Sequence, residues 1–231
     1  GVDLTTVDAG NNTRGLDVLA DGDSSIVNFS ASTALFGDSD GDAGVIESQG
    51  TATIENVTLD TVGLNESDGT GLQVLANGDS AVTDIALDTV TLGNNGVGLD
   101  VFANDTARVA NVSAETVLAS GNADRAAGLF AGTASAGGAT IENVSVSEAG
   151  FNDTVSGTGL AMETDGSSTI IGVDLTTVDA GNNTRGLDVL ADGDSSIADL
   201  STDTVLFGES DGDAGAFEAT GAGATIEDLF F

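Results

Sequence analysis

The chain contains no cysteine, proline, histidine, lysine, tryptophan or tyrosine. Without cysteine there can be no disulfide and no thiolate metal site, and cysteine usage gives no reading of redox compartment. Without His, Cys, Lys or Tyr the nucleophile–base pairings of most hydrolases are missing, so the chain is not expected to be an enzyme. Paired carboxylates remain for glycoside chemistry. With no Trp or Tyr to stack on a sugar, however, a polysaccharide-processing enzyme ranks third among the functional readings. With no proline, turns must be made by the 33 Gly together with Asn and Asp. No apolar run approaches the roughly 18 residues of a membrane helix, so no span is expected. The chain opens on Gly1 with no signal peptide, which suggests a processed or partial chain.

Basic residues are nearly absent as well. Thirty-eight acids face four Arg, for a formal charge of −34. A disordered acidic tail has such a balance, but the apolar residues here, 40% of the chain, are regularly patterned. A folded protein adapted to concentrated salt fits better, because at molar salt the Debye length falls to about 3 Å and self-repulsion is screened. The same charge argues against nucleic acid and anionic membranes as partners, since phosphate binding needs Lys and Arg clusters.

What is present is repetition. Gly1 to Ile26 returns unchanged at Gly172 to Ile197, an offset of 171 residues with all 26 positions matching. Stacked equivalent units tolerate such reuse, since each meets the same neighbours. Within this period lies a shorter one, with units ending at Ile26, Ile54, Val82, Val109, Ile141, Ile170, Ile197 and Ile226. The steps are 28, 28, 27, 32, 29, 27 and 29 residues, and the first six make up the long repeat. Residues 172–231 therefore restart the repeat begun at 1–60, and residues 1–231 read as a single domain.

The unit Thr83 to Val109 displays the plan. Ile85-x-Leu87 alternates, as does Leu99-x-Val101-x-Ala103, and a third run ends at Val109. Alternation with period two means strand. Gly93-Asn94-Asn95-Gly96 and Asn104-Asp105 break the runs. The expected fold is all-β: a right-handed parallel β-helix, or β-solenoid, of about eight coils of 27–32 residues, with three short strands per coil. A Gly column runs through Gly15, Gly44, Gly71, Gly98, Gly128, Gly159, Gly186 and Gly215, supplying a positive φ or a close backbone approach. The apolar column after it is Leu16, Val45, Leu72, Leu99, Leu129, Leu160, Leu187 and Ala216. A corner column holds Asn28, Asn56, Asp84, Asn111, Asn143, Asp199 and Asp228, with Gly172 as the exception; its stacked Asn side chains can hydrogen-bond along the axis. In two units Glu47 and Glu218 fall in the Val column of Val18, Val74, Val101 and Val189. A one-residue slip or a β-bulge would turn them outward.

Gly71–Asn77 with Ser80–Val82, and Ile141-Glu142-Asn143-Val144-Ser145, resemble the repeats of right-handed β-helical autotransporter passengers and related surface adhesins. The resemblance covers nearly the whole chain and implies a fold and an extracellular or cell-surface location. Lysine-free composition and sequons point to a halophile version, haloarchaeal in type.

Sequons occur at Asn11, Asn65, Asn104, Asn152 and Asn182, placed in loops or a turn, and at Asn28, Asn56, Asn111 and Asn143 in the corner column. In an exported protein the first group is favoured for N-linked glycans, because the corner positions have a structural reason for Asn. Asp38, Asp40 and Asp42, with the partner set Glu209, Asp211 and Asp213, offer oxygen ligands on a Gly-bent turn and are candidate calcium loops. They lack the distal Glu of an EF-hand, and an acidic solvating turn competes with that reading.

Both ends fall mid-coil without a cap, which leaves unpaired edges and apolar core. Gly1, Val2 and Leu4 at one end and Leu229, Phe230 and Phe231 at the other are the expected self-association residues. The leading expectation is a structural, filament-forming surface protein built by head-to-tail stacking or by continuation of a longer repeat chain. The alternative is an adhesin or glycan-binding module whose loops, such as Ala119–Ala127, contact a receptor.

Overall fold

In a computed structural model, residues 1–10, 12–132, 138–154, 157–206 and 212–230 are described. All regular structure among them is strand, and it falls into two parallel sheets. One has nine strands: β1 (Val2–Gly10), β3 (Ser25–Gly37), β5 (Thr53–Asn65), β7 (Ala81–Thr91), β9 (Arg108–Leu118), β11 (Thr140–Gly150), β13 (Thr169–Asp179), β15 (Ser196–Leu206) and β17 (Thr225–Phe230). The other has eight: β2 (Leu16–Ala20), β4 (Gly44–Ser48), β6 (Thr70–Ala76), β8 (Val97–Ala103), β10 (Arg125–Ala131), β12 (Thr158–Thr164), β14 (Arg185–Asp192) and β16 (Gly215–Thr220). Odd and even strands alternate along the chain, so the path is a parallel β-solenoid of about eight coils.

Each coil has two hydrogen-bonded strands, where the sequence suggested three short ones. The third run of one coil and the first run of the next form one long strand, bent at the Asn/Asp corner. Val27 pairs with Glu55 and Phe29 with Val57, and the corner residues Asn28 and Asn56 stand between these pairs. The bend is a left-handed residue, with φ of 60° at Asn28, 58° at Asn56 and 58° at Asp84, and the same sign at every later corner including Gly172. Asn, Asp and Gly are the residues that enter this region at least cost.

Two further left-handed columns complete the coil. One follows the long strand at Asp38, Glu66, Asn94, Gly121, Asp153 and Asn182. The other follows the short strand at Gly22, Gly50, Gly78, Asp105, Gly166, Gly193 and Gly221. The column beginning at Gly15 is not among them, and its glycines serve close approach. A Cβ on Gly71 would stand 2.5 Å from Asn95 Nδ2, and one on Gly159 would stand 2.6 Å from Asn183 Nδ2.

The glutamate puzzle resolves as a one-residue slip. Ile46 stands opposite Val18 and Val74, and Glu47 opposite Leu19 and Leu75 on the outer face, with continuous pairing and no bulge. Phe217 and Glu218 repeat this against Val189 and Leu190. Gly44 and Gly215 therefore pair with Leu16 and Leu187, in the apolar column and not the Gly column. Val45 and Ala216 likewise leave the apolar column and face Asp17 and Asp188. The isobutyl end of Leu64 comes within 3.1 Å of where a Gly44 Cβ would lie, so it fills the space a leucine would otherwise take.

The interior is a continuous file of small apolar side chains, among them Ile54, Val82, Val109, Ile141, Ile170 and Ile197, all fully buried. Because the corner requires a left-handed residue, Asn56→Gly should keep the fold. Asn56→Val should cost about 1–2 kcal/mol, read as a lowered urea midpoint in molar salt with an unchanged m-value. Equal midpoints for the two variants would refute the corner argument.

Candidate functional surfaces

Three structural devices position the outward side chains. The first is the corner file of the nine-stranded sheet. Asn111 Nδ2 donates to Asp84 Oδ1 at 2.8 Å and Asn143 Nδ2 to Asn111 Oδ1 at 3.1 Å, so the expected axial ladder exists on these rungs. Two residues on, the strand again faces outward, and Ser30, Thr58, Ser113 and Ser145 share one file with Ala86. The corner sequons are the superposition of these two files.

The second device is internal. Directly after each left-handed residue that follows the long strand comes a buried polar one: Ser39, Ser67, Asn95, Asn122, Thr154 and Asn183. Asn95 Oδ1 accepts from the Ser67 backbone N–H and hydroxyl at 2.9 Å, while its amide donates to the Leu64 carbonyl at 2.9 Å. Asn183 does the same for Thr154 and the carbonyls of Phe151 and Ala180. Asn122 Oδ1 takes the Asn95 N–H at 2.9 Å, but its Nδ2 has no partner among the described residues. The sequence singled out Asn95 only as part of a loop break and did not join these residues into a column. Their signal is a Ser, Thr or Asn immediately after the left-handed position on each rung.

The third is a charged clasp on the outer face of the eight-stranded sheet. Asp100 is only 3% exposed and is held by Arg125, whose Nε and Nη2 donate at 2.9 and 2.7 Å. Arg125 also lies 4.6 Å over the Phe130 ring, which stacks on Phe102 at 4.8 Å. Gly128 leaves the room this needs, since a Cβ there would collide with Phe130. Burial pushes the Asp100 carboxyl upward against the lowering pull of Arg125. The other arginines pair on the surface: Arg14 with Asp17, Arg185 with Asp188 and Arg108 with Glu142.

The loop and turn sequons are engaged. Asn65 and Asn152 are half-buried and accept the backbone N–H of Gly93 at 2.7 Å and of Gly181 at 3.0 Å. Asn104, also half-buried, donates to Asn77, and exposed Asn182 donates to Asp153. Asn28, Asn56, Asn111 and Asn143 are exposed. Asn11 lies outside the described residues, as do Glu209, Asp211 and Phe231.

In the first acidic turn Asp38 and Asp40 are exposed, while Asp42 is half-buried and Asp42 Oδ1 accepts from the Thr70 backbone at 2.8 Å. Among the described residues no three or more acidic groups converge as a metal site, and Asp213 stands exposed. Ala119–Ala127 is a corner with Asn122 fully buried, running into β10.

At the ends, β1 and β17 are the edge strands of the nine-stranded sheet. Val2 is 51% exposed and Phe230 62%, while Leu4 and Leu229 pack only partly against the core. Gly1 is exposed and lies against Asn28 of the next rung. No helix among the described residues is long and apolar enough to cross a membrane. In comparisons with known proteins no family matches the chain, and neither a curated protein nor a solved structure does.

A hydrogen bond with Asp88 holds the Asp60 carboxyl above its ordinary range, and burial does the same for Glu163. With Asp100 these groups bind protons more tightly folded than unfolded. Their contribution is complete below the unfolded range and is lost as pH rises through the folded values. Asp192, lowered by Thr220, acts oppositely. Removing the clasp by Arg125→Met strands Asp100 and should cost about 3 kcal/mol at neutral pH. The deficit should shrink as the pH is lowered and Asp100 takes up a proton. A deficit that does not vary with pH in urea melts would rule out the stranded carboxylate as its cause.

Proposed function

We propose that this protein is a structural rod of an extracellular or cell-surface layer in a salt-rich setting, lengthened rung upon rung into a filament. The observation that carries the reading is the rung-on-rung register that successive described coils share. The core files run through the terminal rungs, so that Leu4, Ile226 and Leu229 remain only partly covered and the edges of β1 and β17 are unpaired. What covers such a face is another rung of the same kind, because only a rung matches its strand spacing, core file and corner position at once. The identity of Gly1–Ile26 with Gly172–Ile197 supports this: Val2–Asp8 of β1 recurs as Val173–Asp179 of β13, whose corresponding edge docks on β11. The contact is head-to-tail and does not close, so it propagates. The partner is a further rung of this repeat, supplied by a second copy of the chain or by the continuation of a longer repeat chain, and the acidic outer surface keeps laterally adjacent rods apart.

At molar salt, electron microscopy should show unbranched fibres of uniform width, and Leu229→Asp should yield single rods that keep the β-sheet circular dichroism. Isolated wild-type rods at high protein concentration would overturn the filament. Salt should also raise the unfolding midpoint, since screening at about 1 M shortens the repulsion to about 3 Å. A midpoint independent of salt would remove the salt-adapted part of the reading.

A further inference from the structure

A long recess lies on the outer face of the nine-stranded sheet. Two adjoining cavities of about 450 and 410 Å³ share Ala86, Ser113 and Ser145 and together form an axial trough. It crosses the rungs of β5, β7, β9 and β11, a span of roughly 14 Å at 4.8 Å per rung. Its floor is the outward file Thr58, Ala86, Ser113 and Ser145, all small side chains. One lip is the amide rail of Asn111 and Asn143 with Asp84. The other is Asp88, Glu115 and Glu148. At the next rung Asp174 enters the floor position beside Ser145 and closes that end.

We infer that this trough binds an extended, uncharged polysaccharide lying along the rod axis. The lining sets the carboxylates of Asp84, Asp88, Glu115 and Glu148 beside the hydroxyls of Thr58, Ser113 and Ser145, which both donate and accept. Glu115 and Glu148 have no hydrogen-bond or ion-pair partner among the described residues, and no arginine lines the recess. A sugar hydroxyl matches both sets: it donates a charge-assisted bond to a carboxylate and exchanges hydrogen bonds with the serine and threonine hydroxyls of the floor. A polyanion is repelled by these lips and by the −34 charge behind them. No aromatic platform lines the trough, so recognition comes from hydroxyl edges and not from ring faces. The sites repeat with the rungs, which suits a polymer better than a single sugar. The inference does not depend on filament formation, since the trough lies on central rungs within one chain.

The test uses the full chain against immobilised uncharged β-glucan, mannan and galactan, with polylysine as the cationic comparator, at low salt and at about 2 M salt. At least one neutral polysaccharide should be retained equally at both salt levels. Ser113→Phe should abolish retention without changing the circular dichroism or melting temperature, because the same outward file already accepts Phe230 on the last rung. Ser145→Phe should do the same, and Glu115→Gln should weaken binding about tenfold. Retention of none of the neutral polymers would overturn the inference. Undiminished retention by Ser113→Phe and Ser145→Phe would do so too, and so would binding confined to polylysine at low salt.

Discussion

At each described corner the chain enters the left-handed region, and it does so at the same place on successive rungs. If one rung turned a residue early, its inward and outward side chains would exchange faces and the ladder with both neighbours would break. This shared requirement explains why the described corners carry Asn, Asp or Gly, with Glu66 the exception, while the strands between them vary. Core, outer files and polar ladders all take their alignment from it. The slip at Gly44 and Gly215 shows how tightly the alignment is kept: the short strand shifts by one residue, yet Ile46 and Phe217 return to the file of Val18 and Val189.

Close stacking of equivalent backbones also decides which residues stand beside the corners. The buried Asn file satisfies backbone groups that the turning chain would leave unpaired, since an unmet buried donor or acceptor costs about 1–3 kcal/mol. Its amides occupy the space above the preceding rung's glycines. Gly71 and Asn95 are thus one device, as are Gly159 and Asn183. The Asp100–Arg125 clasp is a different solution, used once on the opposite sheet, where Gly128 lets an aromatic ring fold over a buried ion pair.

Much of this was legible in the sequence because a period of 27–32 residues with alternation of period two leaves few other folds. Corner Asn and Asp residues announced themselves as a column. The merging of two runs into one bent strand was not legible, since a left-handed residue resembles a strand break when only residue types are read. Nor were the true memberships of Gly44, Val45, Gly215 and Ala216 legible, because a column drawn by residue type cannot see a slip that the chain compensates elsewhere. The trough was hidden for a related reason. Its floor and lips come from four rungs, and Ser113 and Glu115 acquire meaning only beside Ala86, Asp88 and Ser145.

Contacts that join only adjacent rungs have a mechanical consequence. Pulled along its axis, the rod would give way at an end, where a rung is held from one side alone, and the loss would travel inward one rung at a time. Each rung lost shortens the rod by roughly 5 Å. It frees a tether of 27–32 residues, roughly 90–105 Å when drawn straight. A fibre of such units would yield in many small steps, dissipating a sudden load that would snap a rigid strut.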